Sequence, residues 1–239
     1  MASLDHNNAS SSMPGTHVGL HRKLCYHPHS ISYGLSTKKH AILELEHEIS
    51  RTRQEIIRNK KELSRLVRRL PKEEIKKDYS LKDWNGHDVK LSKLFGESND
   101  LILVHNMGRQ CPYCTLWADG FNGLLKHLED RTSFVVVSPD TPKIQKEFAK
   151  SRGWKFKMLS GHGTSFIKDM GFEKPKRGFI PGVSVFRKEK DGRIFRVAVD
   201  QFGPGDDYCI IWHFFDLLPL GPNGWEPKFS YPKNNKGRY

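Results

Sequence analysis

The stretch from Leu101 to Gly123 reads LILVHNMGRQCPYCTLWADGFNG. Its apolar opening, Leu101 to Asn106, has the composition of a buried β-strand. A short loop containing Gly108 leads into Cys111-Pro112-Tyr113-Cys114, and residues 112–130 read as a helix. A C-x-x-C pair between a strand and a helix of an α/β chain is a redox arrangement. At the first turn of a helix, unsatisfied N–H groups and the macrodipole favour a thiolate. Two intervening residues place a second sulfur within disulfide reach. Cys111 is therefore the candidate nucleophile and Cys114 the resolving thiol. Arg109, two residues ahead, would add positive charge. The alternative is a pair of inert, buried cysteines.

Outward from that stretch, the chain from residue 79 reads as one α/β unit. Tyr79 to Leu94 suggests a hairpin around Trp84-Asn85-Gly86, with a helical turn at Leu91–Phe95. Phe134–Ser138 and Phe156–Leu159 read as strands, and Pro142–Arg152 as a helix with proline in its first turn. Thr164–Met170 reads as a short helix. Val183–Arg187 and Arg193–Val199 form a hairpin on Asp191-Gly192. Tyr208–Leu218 reads as a closing helix. This order predicts a mixed sheet with helices on both faces. Gly120 and Gly123 each cost about 1 kcal/mol relative to alanine in a helix, so a bend or break is expected there.

The domain reading has four parts. Residues 1–36 are a disordered or loosely docked tail, whose His17, His21, Cys25, His27 and His29 have no metal-ligand spacing. Residues 37–72 are a long amphipathic helix: Ile42, Leu45, Ile49, Ile56, Leu63, Leu66 and Leu70 recur near every 3.5 residues, interrupted by Thr52 and Asn59, and Pro71 ends the pattern. That stripe packs on the chain's own core or pairs in a homodimer. Residues 73–227 are the α/β domain, and 228–239 a basic tail.

Lys and Arg number 40 against 27 Asp and Glu. The excess permits salt-sensitive contact with polyanions, but no aromatic residues interleave the basic helix face, so nucleic acid is not an expected partner. Four cysteines are too few for a secreted disulfide scaffold. Asp5 and the lack of an apolar region leave no visible signal peptide, and no apolar run is long enough to span a bilayer. A reducing cytoplasm is the expected compartment, with no membrane partner, no resident metal and no cofactor.

The strand, CPYC, helix and Ile180-Pro181-Gly182-Val183-Ser184-Val185-Phe186 resemble the thioredoxin fold. The intervening 134–172 is similar to peroxiredoxins. RRLPKEEIKKDYSL, CPYCTLWADGFNG, GWKFKMLS, PGVSVF and HFFDLLPLG together resemble the thioredoxin-like family called DUF899, over roughly residues 38–227. The resemblance implies a thioredoxin-like mixed sheet flanked by helices, with a long N-terminal helix added. It implies a cis Pro181 beside the sulfurs, with Arg109, Tyr113, Ile180 and Pro181 facing the substrate. It also puts His105 where thioredoxins carry a buried acid, so an imidazole base for Cys114 is expected; the alternative is a core histidine. Pro112-Tyr113 matches glutaredoxins.

The leading expectation is a dithiol–disulfide oxidoreductase acting on protein or low-molecular-weight disulfides with a thiol reductant. A thiol peroxidase is the second, with Arg177 polarising the peroxide; against it, Gly108 rather than threonine stands three residues before Cys111. A zinc site of Cys111, Cys114, Cys209 and His213 is the third, the last two at helical spacing. A partner-binding module built on the N-terminal helix is the fourth.

Overall fold

The computed structural model describes residues 29–232. Of the tail residues named above, His17, His21, Cys25 and His27 lie outside them, as do most of the 1–36 segment and the last seven residues, whereas His29 opens the first helix. In chain order the elements are α1 (His29–Val67), β1 (Glu73–Glu74), β2 (Ser80–Lys82), β3 (Asp88–Lys90), a 3-10 turn (Leu91–Lys93), β4 (Asp100–His105), α2 (Pro112–Arg131), β5 (Ser133–Ser138), α3 (Pro142–Arg152), β6 (Lys157–Ser160), α4 (Phe166–Asp169), β7 (Glu173–Lys174), β8 (Gly178–Phe179), β9 (Gly182–Lys188), β10 (Ile194–Gln201) and α5 (Ile211–Phe215).

Two compact units divide at Lys60 and Lys61. The first holds most of α1, which starts at His29, before the boundary at 37 that the apolar stripe gave. A stripe marks only where apolar residues recur, whereas the backbone hydrogen bonding of a helix can continue past its first apolar member. Among the described residues, no helix is long and apolar enough to cross a membrane.

The second unit is built on an eight-stranded mixed sheet in the order β1-β10-β9-β4-β5-β6-β2-β3. β4, β5 and β6 run parallel, joined by crossovers through α2 and α3. β9 returns antiparallel on β4, and β10 antiparallel on β9 after the Asp191-Gly192 turn, where Gly192 adopts a φ of +86°. Side chains alternate across the central strands, so the sheet separates two apolar layers. Val104 and Val136 face Trp117, Ala118 and Phe121 of α2, with Ala149 of α3 and Trp212 of α5 in the same layer. Leu101, Leu103, Val135 and Val137 face the opposite layer, with Leu91, Phe95, Phe166 and Phe172. The thioredoxin-like mixed sheet with flanking helices is therefore present, and α2, α3 and α5 share one face.

Two expectations need correction. α2 runs unbroken over 20 residues through Gly120 and Gly123. Both glycines are solvent-exposed, and their cost is outweighed by the face that buries Trp117, Phe121 and Leu125. The closing helix is only five residues, because Pro219 and the turns on either side of α5 break the apolar run. Sequence periodicity also missed β1 and the β7–β8 hairpin, whose strands are two residues each.

Candidate active site

β4 ends beside the start of α2, and residues 106–111 bridge them through two polar side chains. Asn106 donates its own N–H to the Val137 carbonyl at 2.8 Å. Its side-chain oxygen accepts the Gly108 N–H at 2.7 Å, and its amide nitrogen donates to the Cys114 carbonyl at 3.4 Å. From the other side, the Asp140 carboxylate accepts the Arg109 N–H at 2.9 Å and the Ser138 hydroxyl at 3.1 Å. Gly108 sits at φ +98°, and a Cβ there would stand 3.0 Å from both Asp140 carboxylate oxygens. The glycine is thus required twice, by backbone conformation and by close approach.

Cys111 is the N-cap of α2. Its backbone is extended, Pro112 follows, and its sulfur accepts the Cys114 N–H at 3.0 Å. The Cys114 sulfur accepts the Met107 N–H at 3.4 Å. The two sulfurs are held differently. The thiol hydrogen bond from Cys114, then the N–H groups of Cys114 and Tyr113, lower the Cys111 thiol to about 7 against opposing burial. That same hydrogen bond, burial and the neighbouring negative charge push the Cys114 thiol up. One sulfur is poised as a thiolate and the other as a protonated donor to it. Cys111, Cys114 and Cys209 are all free thiols.

An aromatic shell surrounds the pair. The Tyr113 ring lies 6.1 Å from Trp117 and 6.2 Å from Trp212, and Trp117 lies 5.4 Å from Phe202. Burial, then the charges of Glu226 and Cys111, raise the Tyr113 phenol. Pro181 lines a small cavity with Cys114, Trp117 and Phe202, and its carbonyl accepts the Phe202 N–H at 3.0 Å. Cys111, Cys114, Tyr113 and Pro181 are thus brought together on one side of the sheet.

Two expected residues are placed elsewhere, and a third, Arg109, stays on the loop before Cys111 without contributing to the thiolate. Ile180 packs in the opposite apolar layer. The Arg109 side chain is exposed, and none of the influences on Cys111 is a cation, so the thiolate owes its stabilisation to hydrogen bonds. His105 is buried in the opposite layer too. It stacks on Phe172 at 3.8 Å, and its Nε2 shares a 3.0 Å hydrogen bond with the Ser184 hydroxyl. Burial first, then the Arg196 charge, lowers it to about 3. The alternation that puts Leu101, Leu103 and His105 on one face of β4 puts α2 against Ile102 and Val104 on the other. Its ring nitrogen thus pairs with Ser184 rather than with Cys114, although His105 also borders the small cavity that Cys114 and Pro181 line.

The zinc arrangement is not formed. Cys209 is buried and precedes α5, whereas His213 is exposed and lies 3.5 Å from Asp207, so they share no face. Among the described residues, no cluster of three or more His, Cys, Asp or Glu could hold a metal ion. Arg177 is exposed in the turn between β7 and β8, a hairpin separate from the main sheet.

Asn106 and Asp140 were not anticipated. Asn106 had a signal, an Asn two residues before a loop glycine, which favours such side-chain-to-backbone bonds. Asp140 had none, since Ser138-Pro139-Asp140 reads only as a strand end.

A family model described as "Bacterial protein of unknown function (DUF899)" matches residues 36–235. Among curated proteins, the chain is 29% identical over 127 residues to "Peroxiredoxin Q, chloroplastic" of Sedum lineare, covering 53% of this chain and 67% of that one. It is 27% identical over 140 residues to the protein of that name in Populus jackii, covering 58% and 65%. The chain spans about two thirds of the length of these relatives. Among solved structures, it is similar to peroxidoxin BcpB of Mycobacterium tuberculosis, with 24% identity, a TM-score of 0.44, and coverage of 52% and 81%. Peroxiredoxin Q of Xanthomonas campestris gives 20% identity, a TM-score of 0.45, and coverage of 52% and 80%.

Proposed function

The chain belongs to the DUF899 family, and we propose that this protein is a dithiol–disulfide oxidoreductase with Cys111 as nucleophile and Cys114 as resolving thiol. The observation that carries this reading is the capped Cys111 sulfur, lowered to about 7 beside a Cys114 thiol pushed the other way.

The Cys111 thiolate attacks one sulfur of a substrate disulfide, forming a mixed disulfide and expelling the other half as a thiolate. The Cys114 thiol then loses its proton to solvent and attacks the Cys111 sulfur. The mixed disulfide breaks, the second substrate thiolate leaves, and a Cys111–Cys114 disulfide forms. Two electrons pass to the substrate, and an external thiol reductant restores the pair. The Met107 N–H stabilises the developing Cys114 thiolate once Cys111 no longer carries charge. Tyr113 and Pro181 form the walls a substrate meets. The pair needs a reducing compartment such as the cytosol to stay competent.

Reduction of a mixed-disulfide probe and of insulin by wild type, Cys111→Ser and Cys114→Ser tests the reading. Loss of all turnover in Cys111→Ser is expected, with a trapped mixed disulfide in Cys114→Ser. Equal turnover in all three would refute it.

The relatives named peroxiredoxin Q favour a second reading, a thiol peroxidase. There the Cys111 thiolate attacks a peroxide oxygen, giving a sulfenic acid and releasing alcohol or water. Cys114 then displaces water to form the same disulfide. Peroxide consumption driven by dithiothreitol, set beside the disulfide assay, separates the two.

A further inference from the structure

The apolar stripe of α1 points to a second copy of this chain. Positions 42, 45, 49, 52, 56, 59, 63 and 66 follow a strict alternation of three and four residues, which is the heptad spacing of a two-helix seam. The first position of each heptad holds Ile42, Ile49, Ile56 and Leu63; the fourth holds Leu45, Thr52, Asn59 and Leu66. β-Branched residues at the first position with leucine at the fourth favour two parallel strands. The six apolar members are 43–61% exposed, so the seam is uncovered within the described chain.

Charge decides who covers it. In a parallel, in-register pair, each seventh position of one helix faces the fifth position of the next heptad on its partner. That opposes Glu48 to Arg53 and Glu55 to Lys60, opposite signs in both cases. An antiparallel pair over the same span would instead set Glu48 against Glu62, Glu55 against Glu55 and Arg53 against Arg53, with Glu46 against Lys60 the opposite-sign exception. Like charges thus prevail on the flanks of the antiparallel pair, whereas no flanking pair of the parallel one is like-charged. Glu55 also lies 3.8 Å from Arg58 on its own helix, an exposed pair that holds it only weakly. We propose that two copies of this protein associate through α1 as a parallel, in-register coiled coil, with Glu48–Arg53 and Glu55–Lys60 pairs on both flanks.

Sedimentation of the full chain at tens of micromolar tests this. Wild type is expected at twice the 27.6 kDa chain mass. Ile49→Glu with Ile56→Glu should halve that mass while leaving thermal unfolding of the sheet unit and Cys111 reactivity unchanged. Glu48→Arg with Glu55→Lys should weaken the dimer, and adding Arg53→Glu with Lys60→Glu should restore it. Mild oxidation of Ile42→Cys should join the two copies at position 42, mapped by peptide mass, because only the parallel order brings identical residues together. A monomeric wild type, a dimer that survives Ile49→Glu with Ile56→Glu, or an unlinked position 42 would overturn the proposal.

Discussion

Replacing Cys114 by alanine removes the thiol hydrogen bond that is the largest influence holding Cys111 at about 7, and leaves the residue-114 N–H in place. A fall from the ordinary 9.0 to about 7 corresponds to about 3 kcal/mol of preference for the thiolate. At pH 7 it raises the ionised fraction from ~1% to about half. Intrinsic nucleophilicity falls with pKa at a Brønsted slope near 0.45, which costs about eightfold. The net expectation is alkylation roughly sixfold faster than an ordinary cysteine at pH 7, and slower than one above about pH 8. Burial slows every rate by a common factor, so the midpoint is the quantity to read. Iodoacetamide labelling of Cys111, followed by peptide mass spectrometry from pH 5 to 10, should give a midpoint near 7 for wild type. Cys114→Ser, which keeps a donor, should stay close to that; Cys114→Ala should rise above about 8. A wild-type midpoint near 9, or no shift in Cys114→Ala, would refute the idea that the second thiol sets the reactivity of the first.

Linkage gives a stability test of the same shift. A depressed folded pKa stabilises the reduced protein above the unfolded value of 9.0, and that gain is lost as pH falls through about 7. Reduced wild type should therefore gain melting temperature over Cys111→Ser between pH 7 and 9; above 9 the raised Cys114 acts in the opposite sense. His105→Ala should lose about 2–4 kcal/mol in denaturant unfolding, from the vacated stack on Phe172 and the stranded Ser184 hydroxyl. Its thiol-transfer pH profile should match wild type; a displaced profile would restore the base role. Gly182→Ala drives a Cβ into the Asp200 carbonyl and the Phe172 ring, so a loss above about 2 kcal/mol, or no soluble protein, is expected. Asp140→Ala frees the Arg109 N–H and should slow Cys111 labelling while leaving global unfolding within about 1 kcal/mol. Unchanged labelling would show that Asn106 alone holds the loop.

What was legible in the sequence was set by local chemistry with one dominant cause. Leu101–His105, Pro142–Arg152 and the Asp191-Gly192 hairpin each follow from an apolar run, a first-turn proline or a left-handed glycine, and the structure has them within a residue or two. The capped Cys111 belongs to the same class, since strand, short loop and C-x-x-C leave its sulfur only one place to stand. His105 failed for a different reason. Its spacing from Cys111 is a one-dimensional fact, whereas its role depends on which face of β4 the helix covers. Alternation shows that residues 101, 103 and 105 share a face, but only the crossover into α2 decides that the cysteines lie against 102 and 104 instead. Cys209 and His213 failed likewise, because an i, i+4 argument needs a helix under both residues and α5 starts at Ile211. Asp140 was invisible because its partner, the Arg109 N–H, is backbone and 31 residues away. The part of this site that sequence could not supply is therefore the part that spans elements: which face is opposed, and which carboxylate closes a loop from the next strand.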